Sequence, residues 1–292
     1  MIEQQLGKLE LTILSDGSQL MKTSHPTFGP YTDPATVKQL LRDHHRPTEA
    51  VSLGLHILLI RKGDRLIMAD SGLGNLEPTS GRLPQALAAA GIQANDITDI
   101  VLTHGHLDHI GGLITPAGQP AYPSATIHLA QTEYNCWMQP NPDFSASAMK
   151  DDADTQQYLV NHIRRILTAI QPQLRLIQHH QTLHNCIRFV AAPGHTPGHT
   201  VLQIYSGNEE LWHLADVVHS DVLLVPHPEW GFFFDTDFHL ACNTRISMLS
   251  MLADTGKPTL AYHLPWPGLG YVRRNGTAFE WIPVAFVTPE GE

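Results

Sequence analysis

The heptapeptide Thr-His-Gly-His-Leu-Asp-His, residues 103–109, sets three imidazoles and a carboxylate within six consecutive positions: His104, His106, Asp108 and His109. These are donors that borderline divalent metals take, and a catalytic centre built from them keeps an open position for water. Histidine is abundant, 19 in 292 residues, so chance pairs are expected. A random chain of this composition would nevertheless carry His-x-His-x-Asp-His with a probability of only about half a per cent. The spacing divides the donors into two sets. His104 and His106, two apart where a strand ends, can point to one side. Asp108 and His109, in the turn entering a helix, can point to a second centre nearby, so two ions are accommodated.

Further donors stand in similar places. His195 sits in the rigid loop APGHTPGHT (192–200), Asp216 closes LWHLAD (211–216) and His263 closes TLAYH (259–263). Alone, each reads more often as a turn residue. With the four in the heptapeptide they make seven, a set suited to two metals sharing a carboxylate bridge.

The elements that must position these residues follow from periodicity. Strand patterns occupy 8–14, 55–61, 65–70, 97–103 and 125–130, and a helical stretch at 82–91, stopped by Gly91, lies between strands as a crossover would. Within 131–182, Leu159, Ile163, Ile166 and Ile170 share a helical face. Strands at 186–192, 200–206 and 211–216 follow. A helix at 237–256 has Asp235 or Thr236 near its cap, Phe238, Cys242, Ile246, Leu249 and Leu252 on one stripe and Gly256 at its end, and precedes a strand at 259–262. This order predicts an α+β fold in four layers, two β-sheets packed face to face with helices outside. It is expected as a single domain over 1–292, with two similar halves, about 1–130 and 183–292, joined by a helical connection at 131–182.

Composition narrows the partners. The formal charge of −10 and the lack of a basic patch predict no nucleic acid and no membrane surface as partner. The longest apolar stretch, 51–60, is too short for a membrane span and contains His56. The first residues lack a signal-peptide pattern, and three scattered cysteines read as core fillers, so a reduced, cytoplasmic setting is expected.

THGHLDH, His195 in PGHTPGH, Asp216, His263 and the ADSGLG stretch (69–74) together resemble the metallo-β-lactamase superfamily, over nearly the whole chain. The resemblance implies an αβ/βα sandwich and two divalent ions. It puts His104, His106 and His195 on one ion, Asp108, His109 and His263 on the other, and Asp216 between them, with Asp70 orienting a ligand histidine from behind. Zinc is the expected metal, although the same donors accept manganese, iron or cobalt. More narrowly, GHTPGHT, ADVVHSD (215–221) and HLPWPGLGYV (263–272) look like the methyl parathion hydrolase-like branch, which acts on phosphotriesters, lactones or esters. Histidine rather than glutamate at His106 favours hydrolysis over the redox-active diiron branch. Acyl-homoserine lactonases often have a tyrosine three residues after the bridging aspartate; this chain has His219 there.

The expected activity is hydrolysis of a small ester, lactone or phosphotriester by a metal-bridging hydroxide, with Asp216 and Asp108 as catalytic residues and Asp108 passing the proton to the leaving group. No Gly-x-Ser-x-Gly elbow offers a side-chain nucleophile. Trp230, Phe232, Phe233 and Trp266 are candidates for an apolar substrate pocket, with Phe234 beside them; exposed aromatics would instead serve a homodimer interface. A glyoxalase II-like thioesterase would share the centre and need a site for an anionic cofactor. In a catalytically silent metal-binding or scaffold protein the centre would only hold the fold together, which the full ligand set with a bridging carboxylate argues against, since a structural zinc normally has a closed four-ligand shell.

Overall fold

Val51–Lys62 is apolar on both faces: Leu55, Ile57 and Leu59 point one way, Leu58 and Ile60 the other, and all five are buried. A strand of that kind needs a cover on each side. The computed structural model, which describes residues 1–285, supplies both.

The first sheet follows chain order: β1 (Ile2–Leu6), β2 (Leu9–Met21), β3 (Val51–Lys62), β4 (Arg65–Ala69), β5 (Asp99–Val101), β6 (Thr126–Ala130) and β7 (Leu174–Ile177). β1 to β4 are antiparallel; β4 to β7 pair in parallel. Parallel neighbours require crossovers. After α1 (Pro34–Asp43) in the β2–β3 connection, these crossovers carry α2 (Leu83–Ala89), the short α3 (Leu107–Ile110), α4 (Gln131–Met138) and α5 (Ala153–Ala169).

The second sheet contains β8 (Thr182–Leu183), β9 (Ile187–Ala191), β10 (Thr200–Ser206), β11 (Glu209–His213), β12 (Thr259–Leu260), β13 (Leu269–Asn275) and β14 (Ala278–Pro283), in spatial order from β14 back to β8. Its one parallel pair among the described residues, β11 with β12, is bridged by α6 (Phe238–Thr255).

Three apolar layers separate these four. Leu55, Ile57 and Leu59 pack with Leu87 of α2 and Ile163 and Leu167 of α5. Leu58, Ile60 and Val101 meet Phe189, Leu202 and Ile204 between the sheets. Val201, Val272 and Phe279 pack with Leu249 and Leu252 of α6. The αβ/βα sandwich read from the sequence is the fold observed. Because Leu202 is fully buried between the sheets, Leu202→Ala is expected to cost about 2–5 kcal/mol, read as a lower urea midpoint at unchanged m value.

Some local expectations are corrected. The stretch 131–182 is not purely helical, since it contributes β7 to the edge of the first sheet. The side chain of Asp237, not Asp235 or Thr236, caps α6 by accepting from Leu240 N at 3.0 Å. On α6, Ile246 is exposed, while Arg245 is buried and bonded to the carbonyls of Val217 and Pro228. The strand expected at 259–262 pairs only at Thr259–Leu260, because the chain leaves the sheet toward His263. Residues 286–292 of the expected domain lie outside the described residues. No helix among the described residues is long and apolar enough to cross a membrane.

Candidate dinuclear metal centre

The ligand candidates leave the sheets from several strand ends. His104, His106, Asp108 and His109 follow β5, His195 lies in the β9–β10 loop, Asp216 sits in a short 3-10 turn after β11, and His263 follows β12. The folded chain gathers all seven into two groups whose donor atoms lie within 4.8 Å of one another: His104, His106, His195 and Asp216, and Asp108, His109, His263 and Asp216. All are buried, and Asp216 belongs to both groups.

Asp216 Oδ2 lies 3.2 Å from His195 Nε2, 3.2 Å from His263 Nε2 and 3.7 Å from His104 Nε2, while Oδ1 lies 3.0 Å from His109 Nε2. Asp108 Oδ2 is 3.3 Å from His263 Nε2 and 3.6 Å from His109 Nε2.

The outer nitrogens fix which face of each ring looks inward. His109 Nδ1 donates to Asp70 Oδ2 at 2.9 Å, His195 Nδ1 to Asp235 Oδ1 at 2.8 Å and His263 Nδ1 to Gly54 O at 2.9 Å. In the neutral tautomer each Nε2 then aims a lone pair at carboxylate oxygens or at another ring, as where His106 Nδ1 meets His195 Nε2 at 2.8 Å. Such a cluster of acceptors requires positive charge among them. The buried Nε2 atoms of His104 and His109 and Oδ1 of Asp216 also lack hydrogen-bond partners, which in a folded core calls for a ligand. The donor set therefore fits two divalent cations.

The electrostatics agree. Burial works against the Asp216 carboxylate, but His109, His263 and His104 outweigh it and hold its carboxyl well below the usual range. Burial opposes protonation of His263 and His195, yet Asp216 and its neighbours push them up to about 9 and about 8. His104 and His106 are driven well down, chiefly by burial. Divalent ions would supply the charge that protons otherwise bring. Stripping metal with a chelator is accordingly expected to lower the thermal midpoint reversibly, by several degrees, with recovery on adding zinc, as calorimetry would read.

A second layer holds these side chains. Asp70 accepts from Thr103 N at 2.8 Å and Thr103 Oγ1 at 2.9 Å besides orienting His109. Asp235, considered in the sequence only as a cap, orients His195 and is paired at 3.2 Å with buried Arg245. His199, the second histidine of PGHTPGH, accepts from Asp216 N at 3.1 Å. Tyr262 stacks on His109 and donates to Asp108 O at 2.6 Å.

Glu133 on α4 carried no signal in the sequence. Its Oε1 accepts from Gly105 N at 2.8 Å and Trp137 Nε1 at 2.6 Å, and its Oε2 from Thr196 Oγ1 at 2.7 Å and Gly198 N at 2.8 Å. One carboxylate thus ties the 103–109 loop to the 192–200 loop. Gly198 makes room for it, since a Cβ there would collide with the Glu133 backbone.

A cavity of about 290 Å³ opens onto the centre. Met21, Leu53, Leu76, Tyr158, Phe232 and Phe234 form apolar walls, and Asp108, His195, Asp216, His219 and His263 lie at the base. Of the aromatics proposed from sequence, Phe232 lines it. Trp230 stacks instead on His227 and packs beside α1, Phe233 turns into the helical layer, and Trp266 is 46% exposed with its edge against His56. Four aromatics in five residues cannot all face one way; Phe234 takes a place in the wall. His219 places Nε2 3.1 Å from Asp216 Oδ2, with its ring stacked on Phe232 at 3.9 Å and its Nδ1 buried without a partner.

A family model described as the metallo-beta-lactamase superfamily matches residues 54–263, which includes every one of these donors. The chain belongs to the metallo-β-lactamase superfamily. Within that superfamily it is similar to the solved structure titled "AidC, a Dizinc Quorum-Quenching Lactonase, in complex with a product N-hexnoyl-L-homoserine", at 40% identity, TM-score 0.95 and 98% coverage of each chain. It is also similar to the hydrolase AbOPH, at 25% identity, TM-score 0.88 and 98% coverage of each chain. The probable metallo-hydrolase YybB of Bacillus subtilis (strain 168) is 28% identical over 148 residues, 50% of this chain and 55% of YybB. The chain thus spans about half the length, or less, of the curated relatives it matches.

Proposed function

We propose that this protein is a dinuclear metal-dependent hydrolase, with zinc in both positions, that opens lactones bearing an apolar acyl chain. The observation that carries the reading is the apolar cleft seated directly on two ligand groups that share Asp216. Two divalent ions, when bound, polarise a carbonyl and make water nucleophilic at neutral pH. The chain's own residues do the rest. His104, His106 and His195 would hold one ion and Asp108, His109 and His263 the other, with Asp216, which belongs to both groups, available to each. Asp108 Oδ2 faces the ligand histidines, leaving Oδ1 to carry a proton toward the leaving oxygen. Phe232, Phe234 and Leu53 exclude water and grip the acyl chain. His219 offers an imidazole where related lactonases often have a tyrosine hydroxyl. Similarity over 98% of the chain to a structure titled as a dizinc lactonase supports lactones ahead of the aryl esters and phosphotriesters that the methyl parathion hydrolase-like motifs also admit.

The thioesterase alternative is less well supported: among the described residues no lysine or arginine lines this cavity, and Glu77 does, which disfavours an anionic thiol ester. A silent scaffold would have no need of a cleft over its metals. We also take the enzyme to be a cytoplasmic homodimer, which fractionation and light scattering test. The deciding assay sets metal-loaded protein against N-acyl homoserine lactone, aryl ester, phosphotriester and acyl-glutathione. Lactone opening with kcat/KM well above the other three supports the reading; preference for another substrate class, or no turnover at full metal occupancy, overturns it.

A further inference from the structure

A second and larger cavity, about 630 Å³, lies apart from the metal centre, between α2, α5 and the segment after α3. None of the seven metal-ligand candidates lines it, and it meets the metal cleft only at Leu76, which borders both. Leu83 and Leu87 of α2, Ile92, Ile114, Tyr122 and Ile166 of α5 give it an apolar body. The volume falls within the range of small-molecule sites, which combine apolar walls with a few placed polar groups.

Its polar groups are unevenly charged. Asp16 is the one acid in the lining among the described residues, and its carboxylate is engaged by the Leu73 and Leu83 amides at 2.9 and 2.8 Å. Two basic side chains, His162 and Arg165, stand three residues apart on α5 and so on one face. His162 Nδ1 donates to Tyr158 O at 2.8 Å, so in the neutral ring Nε2 is an acceptor and the head-group donor in the lining is Arg165. Arg164 next to them is anchored to the carbonyls of Trp137 in α4 and Pro140 just after it. Arg165, by contrast, is exposed, reaches over the turn at Gly118, and makes no ion pair or side-chain hydrogen bond among the described residues.

We infer that this cavity is a binding site for a single-chain amphiphilic monoanion, such as a medium-chain carboxylate, with the tail among the leucines and isoleucines and the head on Arg165. The charge argues against a cationic or neutral amphiphile, since a free guanidinium at the mouth of an apolar cavity favours a carboxylate head. The site is independent of the chemistry at the metals and stands whether or not lactones are the substrate.

Calorimetric titration of the metal-loaded protein with decanoate below its micelle concentration tests this, with decanol and decyltrimethylammonium as controls. Because a carboxylate can also bind at the metals, two variants remote from them separate the sites. Ala88 lines the cavity and is exposed on α2, so Ala88→Trp fills the space without disturbing the core. Arg165→Glu reverses the head-group charge. The expected result is binding that tightens by about two- to fourfold per methylene from octanoate to decanoate, is lost in Ala88→Trp, and weakens at least tenfold for decanoate but not decanol in Arg165→Glu, with thermal midpoints unchanged in both variants. Decanoate binding that is absent, that persists undiminished in both variants, or that is matched by decyltrimethylammonium would overturn the inference.

Discussion

Replacing Asp216 with asparagine is expected to lower kcat/KM for the preferred substrate by about a thousandfold or more and to reduce bound metal from two equivalents per chain toward one. The asparagine would keep the shape of the side chain but lose its charge and one acceptor oxygen. The oxygens of Asp216 face ligands of both groups at 3.0 to 3.7 Å, so either orientation of the amide turns an N–H toward histidine nitrogens or a metal. Stabilisation by a correctly held ion is worth several kcal/mol in the transition state, and each step of about 1.36 kcal/mol is a decade in rate. Steady-state kinetics alongside metal analysis checks it. Full metal content with near-native turnover would remove Asp216 from the role of bridge.

Glu133→Ala is expected to be among the most destabilising single changes in the chain, by about 4 kcal/mol. The mechanism is what it leaves behind. The amides of Gly105 and Gly198, the Trp137 indole N–H and the Thr196 hydroxyl would lose their acceptor inside the protein. Each buried donor left without a partner costs about 1–3 kcal/mol, offset in part by water entering the space. Burial pushes the Glu133 carboxyl up, against the pull of these four donors, so removing the acid also relieves a desolvation cost; that keeps the total below the sum of the four. Glu133→Gln should fall between, because its amide oxygen accepts while its NH₂ group confronts donors. Urea unfolding of the metal-loaded proteins measures both. An alanine variant as stable as the parent would mean that the two ligand loops hold together without the clamp.

Much of the centre was legible because its donors are concentrated. Four of them sit in one heptapeptide, and the others occupy Gly/Pro-rich or strand-end positions where a polar side chain is conspicuous. The sheets were legible for a related reason, since β3 carries apolar residues at consecutive positions and only a layered fold covers both its faces. What escaped was the support. Glu133 looks like any acid near the start of a helix, and only the approach of loops from 105 and 196–198 reveals that it is buried. Arg245 broke the apolar stripe expected on α6, because a guanidinium with two carbonyls and Asp235 to meet can replace an isoleucine in the interior. The pocket aromatics were sorted only by the turns at 227–235, whose backbone geometry one sequence does not specify. Phe232 and Phe234 thus face the cleft while Trp230 and Phe233 turn away.

The ligand candidates are divided between the two sheets: the heptapeptide follows a strand of the first, and His195, Asp216 and His263 follow strands of the second. During translation these groups are made far apart in time. About 150 residues separate His109 from His263, roughly 8 to 30 s of synthesis at about 5–20 residues per second. A nascent chain therefore carries only part of the donor set until His263 is made. Both donor groups are therefore complete only once the second sheet has closed over the first, which brings Asp216 and His263 to the heptapeptide.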